Sequence, residues 1–300
     1  MRGETENIKF GLIEYLRLLR PQQWSKNMFV FAGLLFSRRF YYTDSVLTSI
    51  FTFLIFCILS SGIYILNDIV DYKKDRMHPI KSQRPIAAGT VKRKYAFIIS
   101  LFLVFSALLG AYYVNYALLY ICLIYCVMMI SYTLLVKQIV ILDVLFVAVG
   151  YVLRAIAGAV AIRVEISSWL LLCTLLLALF IVLSKRRAEL VLFSGGAEKH
   201  RKVLSQYTVP FLNQMIGIVT AACIVSYCLY TLSPETVSKF NTRNLIFTVP
   251  FVIYGIFRYL YLIYGKYEGG IPEKIVLKDI PLQGCLVLWV LVCFFILYNT

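Results

Sequence analysis

Histidine is all but missing from this sequence: His78 and His200 are the only two in 300 residues, and no serine or cysteine arrangement surrounds either. Nucleophilic catalysis of the Ser/His or Cys/His type is therefore not expected. Cysteine is more plentiful, but all eight cysteines, from Cys57 to Cys293, fall within apolar stretches and show no C-x-x-C spacing. They read as small packing residues, which argues against a disulfide framework or a zinc site. Charge is scarce too, at 15% of residues against 61% hydrophobic. With a mean hydropathy of +0.80, the composition lies well outside that of a soluble globular domain. No Ser/Gly linker or low-complexity tract divides the chain, so residues 1–300 read as a single domain. Polar residues persist from Arg2 to Lys26, so no short apolar core of a cleaved leader is expected there.

What is present is a succession of apolar runs of membrane-spanning length, roughly 20 residues each. Nine can be read, near 27–43, 45–66, 95–113, 117–136, 140–162, 167–184, 210–232, 245–264 and 280–298, the first interrupted by Arg38 and Arg39. The expected fold class is an all-α integral membrane protein of nine transmembrane helices around a central cavity opening to the cytoplasmic side. Net charge is +15, which raises the question of nucleic acid, but the distribution of the cations answers it. An N-terminus placed in the cytoplasm leaves 24 of the 30 lysines and arginines inside, five outside and Arg154 within a span. By the positive-inside rule the chain is multi-pass with its N-terminus cytoplasmic and its C-terminus outside, and no nucleic acid is expected. The long loops, about 67–94, 185–209 and 265–279, then share the cytoplasmic side, with a tight turn at Lys137.

One of those loops carries chemistry. In the stretch from Asn67 to Thr90, NDIVDYKKDRMHPIKSQRPIAAGT, three aspartates stand among five lysines and arginines. On a helix, Asp68, Asp71 and Asp75 share one face within an arc of about 60°. Such crowding is unfavourable without a cation. Magnesium, which takes one or two carboxylates together with substrate phosphates, suits so open a set. Asn67 begins the array and can hydrogen-bond a metal-bound water or a phosphate. Pro79 predicts that the helix breaks by His78, which reads as a turn residue more than a ligand. Beyond the break, Lys81, Arg84 and a turn from Pro85 to Gly89 set cations beside the acidic face. Carboxylates for a metal and cations for phosphate oxygens together describe a metal-bridged polyphosphate site. A cluster serving only membrane orientation would need lysines and arginines but gain little from three ordered aspartates.

Here the residues resemble a known family. NDIVDYKKD fits the N-D-x-x-D-x-x-x-D motif of the UbiA-type intramembrane prenyltransferases, and SYTLLVK, Ser131 to Lys137, looks like their Tyr-and-Lys signature. Together with LRPQQWSKN, YTLLVKQIVILDV, GYVLRAIAGAVA and LSKRRAEL, these motifs are similar to the decaprenyl-phosphate phosphoribosyltransferase branch, over about residues 15–298. The resemblance implies Mg2+ at Asp68, Asp71 and Asp75, catalysis centred on those residues and Asn67, and Tyr132 and Lys137 as substrate-binding residues. It also implies that Lys26 and Asn27 face phosphates, where the plainer reading is an interfacial belt with a snorkelling lysine. The implied partners are phosphoribosyl pyrophosphate, a polyprenyl phosphate lipid and a bacterial-type inner (plasma) membrane, with an oligomer compatible with the sequence. Cell-wall arabinan synthesis is the implied context.

One departure from the wider family has physical meaning. Members that use prenyl diphosphates carry a second aspartate-rich motif after span six, where this chain has Lys185, Arg186, Arg187 and only Glu189. A basic cluster suits a donor with an additional phosphate, as phosphoribosyl pyrophosphate has. The alternatives are an inside-positive flank, or a Lys185/Glu189 pair one turn apart. Arg154 lies about 16 Å along its helix from Asp143 and about 20° away in angle, so both occupy one face. A charge so deep is a functional candidate, and a role in binding polyprenyl phosphate or holding the cavity is expected of it, the alternative being a purely structural polar network. Glu268, Glu273 and Asp279 in the third loop are weaker candidates for a lid or metal contact. The alternative activity is an aromatic, 4-hydroxybenzoate-type prenyltransferase using a polyprenyl diphosphate. A transporter without chemistry fits less well, because its ion site would lie nearer the bilayer midplane.

Overall fold

The computed structural model describes residues 13–165, 167–192, 202–265 and 278–298, and among these every regular element is helical. Eight helices are long and apolar enough to cross a membrane. They are α1 (Thr43–Arg76), α2 (Arg93–Val114), α3 (Tyr116–Leu134), α4 (Leu142–Ala161), α5 (Ser168–Leu192), α6 (Val209–Leu232), α7 (Val249–Gly265, whose span is completed by the 3-10 turn Asn244–Thr248 before it) and α8 (Ile280–Tyr298). The ninth expected run, 27–43, folds differently. Its chain is already wound at Pro21 into a 3-10 helix, Pro21–Phe31, continues as a short α-helix, Ala32–Leu35, and then turns before α1. Arg20 enters this segment at a left-handed φ of 53°, and the ring of Pro21 supplies the first helical φ.

Packing explains why the segment lies where it does. A Cβ built on Gly158 of α4 would sit 1.8 Å from the Val30 carbonyl oxygen, and one on Gly33 would sit 2.8 Å from Ala159 Cα. Two glycines thus let the backbones of the Pro21–Leu35 segment and α4 cross almost in contact, as small residues do between membrane helices. A similar device joins α1 to α2, where Ser100 Oγ donates to the Gly62 carbonyl at 2.7 Å. At the tight connection from α2 to α3, Asn115 caps α3 by accepting from Leu118 N–H at 2.7 Å. Its amide also donates to the Val160 and Ala161 carbonyls at the end of α4, at 3.3 and 3.2 Å.

Of the four apolar clusters that result among the described residues, two are joined by α4. One gathers the first segment and α1 to α4 around Phe56, Tyr125 and Leu118; the other gathers α4 to α7 around Phe180, Leu183 and Leu212. α4 belongs to both and is the partition wall of the bundle. The α1 helix has 34 residues, so at 1.5 Å per residue it is about 51 Å long, longer than the ~30 Å hydrocarbon core of a bilayer. Its last turns, which carry Asp68 to Arg76, therefore extend towards water, with Lys73, Lys74 and Arg76 complementing the negative end of the helix dipole. The C-termini of α1, α3 and α5 and the N-termini of α2, α4 and α6 meet at this charged end.

The close crossing makes a clear prediction. Gly158→Ala is expected to lower stability by about 1–3 kcal/mol through overpacking against backbone that cannot yield. Gly217→Ala on α6, where an added Cβ meets nothing within 4 Å, is expected to be tolerated. Thermal unfolding of the two variants in detergent checks this.

Candidate active site at the charged end

Three pieces of chain converge on the last turns of α1. Asp68 and Asp75 lie seven residues apart, two helical turns, and so point the same way. Both accept from the same nitrogen of Arg84, Nη1, at 2.9 and 2.6 Å, and Asp68 also accepts from Arg20. Asp71, turned to the side, accepts from Lys137 Nζ at 2.7 Å, and the same ammonium reaches Asn67 Oδ1 at 3.4 Å. Asp68 and Asp75 thus meet one cation, Asp71 meets another, and basic side chains divide the three aspartates expected on one face. Among the described residues, no group of three or more carboxylate, histidine or cysteine side chains is placed to hold a metal ion together.

Local structure places the cations. The α1 helix stops at Arg76. His78 then organises the turn before Pro79, its Nδ1 accepting from the Ile80 and Lys81 amides at 3.1 and 3.2 Å. That is the turn role expected of it. A 3-10 turn, Lys81–Gln83, and a short helix, Pro85–Ala88, follow, the latter closed by Gly89 at a left-handed φ of 81°. Arg84 sits between them in an extended conformation, so its guanidinium reaches back across two turns of α1. Arg20 had no part in the expected site; its only sequence signal was its place in the LRPQQWSKN motif.

A second cluster stands across from the first, where α4 and α5 meet. Asp143, fully buried, accepts from Arg186 Nε at 2.9 Å and from Tyr207 Oη at 2.8 Å. Arg186 also donates to Glu189 at 2.7 Å and to Tyr132 Oη at 3.3 Å. Glu189 is therefore the i+3 partner of Arg186. Lys185, half-buried on α5, precedes Arg186, while Arg187 donates to Asn213 at 2.7 Å and lies over the Tyr264 ring. The end of α3 joins the two clusters, since Tyr132 touches Arg186 and Lys137, five residues on, touches Asp71. Asp143 and Tyr207 were not foreseen. An aspartate within an apolar helix was a visible signal for the first; nothing in the local sequence pointed to the second.

Arg154 belongs to neither cluster. It is buried in α4 and donates to Asn27 Oδ1, the Gly150 carbonyl and Tyr125 Oη at 2.7, 2.6 and 2.7 Å. Its guanidinium lies 4.8 Å from the Tyr125 ring centroid and 5.6 Å from that of Tyr151. Asn27 has no exposed surface and gives its amide hydrogens to Cys57 and Ser60 of α1, both at 3.3 Å. Asn27, expected to face phosphates, is instead buried, and with Arg154 it pins the first segment, α1, α3 and α4 together. Lys26 donates to Gln23 Oε1 at 2.5 Å. Asp279 pairs with Arg258 at 2.8 Å and caps α8 at the Leu282 amide, whereas Glu268 and Glu273 lie outside the described residues. Arg154→Lys keeps the charge but cannot serve three divergent acceptors. It is expected to cost a few kcal/mol, measurable as a lower unfolding midpoint in detergent, with Asn27 left short of a buried partner.

The residues fit a divalent cation bound together with phosphate. Two buried carboxylates already converge on one cationic nitrogen, and magnesium takes one or two carboxylates together with substrate phosphates.

Comparisons with known proteins give the family and the fold. The UbiA prenyltransferase family matches residues 27–186. A decaprenyl-phosphate phosphoribosyltransferase of Mycolicibacterium smegmatis is 33% identical over 299 residues, covering 96% of this chain and 92% of the relative. One of the same name from Mycobacterium tuberculosis H37Rv is 32% identical, covering 95% and 93%, and one from Corynebacterium glutamicum is 32% identical, covering 96% and 87%. Among solved structures, a UbiA homolog from Archaeoglobus fulgidus bound to GPP and Mg2+ superposes with a TM-score of 0.71 at 17% identity, covering 95% of this chain and 99% of that one. The apo UbiA homolog from Aeropyrum pernix superposes at 0.64 with 14% identity, covering 90% and 98%. With its charged motifs at one end of an all-helical membrane bundle and relatives matched along nearly its whole length, the chain belongs to the UbiA prenyltransferase family.

Proposed function

We propose that the chain transfers 5-phosphoribosyl from phosphoribosyl pyrophosphate to a polyprenyl phosphate of the decaprenyl type, releasing pyrophosphate and forming polyprenylphosphoryl-β-5-phosphoribose. The observation that carries the reading is the pairing of the two clusters: carboxylates of α1 on one side, and on the other Lys185 and Arg186 where a second acidic motif would serve a prenyl diphosphate. The near full-length relatives bearing that activity in their names support it. Pro21–Leu35 supplies the ninth crossing in this reading: its rises of about 2.0 and 1.5 Å per residue carry it roughly 28 Å. The charged end faces the cytoplasm of a bacterial-type inner membrane, with a cavity opening to that side, the N-terminus inside and the C-terminus outside.

Each aspartate in the first cluster is neutralised by Arg20, Arg84 or Lys137 before substrate arrives. Asp68, Asp71 and Asp75, assisted by Asn67, would hold the metal once the donor's phosphates draw those cations away. Magnesium supplies stabilisation of the negative charge gathering on the leaving pyrophosphate. The released Arg84 and Lys137, with Lys81, Lys185 and Arg186, hold phosphate oxygens and orient the anomeric carbon. The bond from that carbon to the pyrophosphate oxygen breaks as the acceptor phosphate oxygen bonds to the opposite face, giving the β anomer. The nucleophile is already an anion at neutral pH, so no general base is needed, in keeping with the dearth of histidine. Tyr132 ties the clusters so that both grip one substrate. A membrane fold suits the acceptor, whose tail stays in lipid while its phosphate reaches the charged end.

The test uses protein in detergent with magnesium, a polyprenyl phosphate and labelled phosphoribosyl pyrophosphate, followed by counting of label in the lipid phase. A parallel reaction holds polyprenyl diphosphate and 4-hydroxybenzoate. Label is expected in the first only, and Asp71→Asn is expected to reduce it at least a hundredfold while the unfolding midpoint is retained. Product in the second reaction alone would overturn the donor assignment, and full turnover by Asp71→Asn would overturn the metal assignment.

A further inference from the structure

The most constrained backbone near the site is the turn between α3 and α4. Ile141 has φ 69° and ψ −47°, and across it the Leu142 amide donates to the Val140 carbonyl at 2.8 Å. This is a three-residue turn of the rare, strained hand. A positive φ is a genuine outlier for a β-branched residue, and such a conformation persists only where its surroundings over-determine it. Here the surroundings include a single hydroxyl. The Ile141 amide donates to Tyr207 Oη at 2.7 Å, and Tyr207 Oη donates to Asp143 Oδ1 at 2.8 Å. The other Asp143 oxygen accepts from Arg186 Nε at 2.9 Å. A phenol has one proton to give and lone pairs to receive, so Tyr207 can serve both partners at once.

The ring that carries this hydroxyl is held firmly. Tyr207 is 3% exposed, stacks on Phe211, and follows Val203 and Leu204, which are buried in the same half of the bundle as the α4–α7 core. Four residues before Ile141 the same connection presents Lys137 to Asp71. One side chain therefore reaches both halves of the site, touching the backbone of the Lys137 connection on one side and the carboxylate that holds Arg186 on the other.

We propose that Tyr207 is the positioning residue that sets Lys137 and Arg186 at their working separation, holding the first through the Ile141 turn and the second through Asp143. This rests on the reading of those two cations as phosphate-facing. Without the hydroxyl, the Ile141 amide loses its partner, the turn relaxes towards negative φ, and Asp143 keeps Arg186 with one fewer restraint.

The test compares the wild type, Tyr207→Phe, Ile141→Gly and the double variant in detergent. Tyr207→Phe keeps the ring and its packing and is expected to raise KM for phosphoribosyl pyrophosphate at least tenfold. Ile141→Gly, for which positive φ costs nothing, is expected to stay within about twofold. In the double variant the glycine keeps the turn open to the working conformation, so KM is expected to recover about threefold or more from that of Tyr207→Phe. An unchanged KM in Tyr207→Phe, with only a smaller fraction of active protein, makes Tyr207 a packing residue and overturns the proposal. A double variant as impaired as Tyr207→Phe overturns it as well. Calorimetric titration of the same four proteins with magnesium pyrophosphate repeats the comparison without donor or acceptor: a tenfold weaker Kd in Tyr207→Phe supports the proposal, and an equal Kd overturns it. Absence of phosphoribosyl transfer by the wild type counts against the function, while the magnesium pyrophosphate titration still decides the role of Tyr207.

Discussion

Three carboxylates at the end of one helix repel each other, and the cations that relieve this are supplied from three distant parts of the chain. Arg20 comes from before the first crossing, Arg84 from beyond the break in α1, and Lys137 from the connection of α3 to α4. The Asp68 side chain is 3% exposed and Asp75 7%, so losing their partners would strand charge away from water. Breaking a buried pair typically costs about 3–5 kcal/mol. The charged end of the bundle is thus folded by electrostatics as much as by apolar burial, with the tip of α1 as its hub.

The opposite half solves the same problem with one more layer. Asp143 and Arg186 are both buried and neutralise one another, and Glu189, Tyr132 and Tyr207 occupy their remaining hydrogen-bonding positions. Deeper in the bundle, Arg154 takes only uncharged partners among the described residues and lies against two aromatic rings. The difference in partners matches the difference in task. The cations at the charged end are balanced by carboxylates, whereas Arg154, fixed by a carbonyl, an amide and a phenol, holds helices in place.

Much of this was legible in the residues. Apolar runs predicted the spans, because a helix in lipid must carry about 20 apolar residues whatever its neighbours are. The helical period put Asp68, Asp71 and Asp75 on one face, and Pro79 marked the break after them. The first run does not form one regular helix over its expected bounds, because its conformation is governed by Pro21 and by the close crossing in which Gly33 meets Ala159 and Gly158 of α4 meets Val30. Asn27 and Arg154 looked like substrate contacts because a polar residue near an interface and a charge within a span are both unusual; the chain alone does not reveal that each is the other's partner.

The sequence by itself determined the class of molecule, the positions of its charged motifs and the type of chemistry they can perform, since periodicity, spacing and residue chemistry are local properties. Only the tertiary structure decided which cation meets which carboxylate, that Tyr132 and Lys137 bridge two clusters, and that Tyr207 stands behind both. Those relations join residues up to 66 positions apart, and their geometry depends on how α4 packs between two cores.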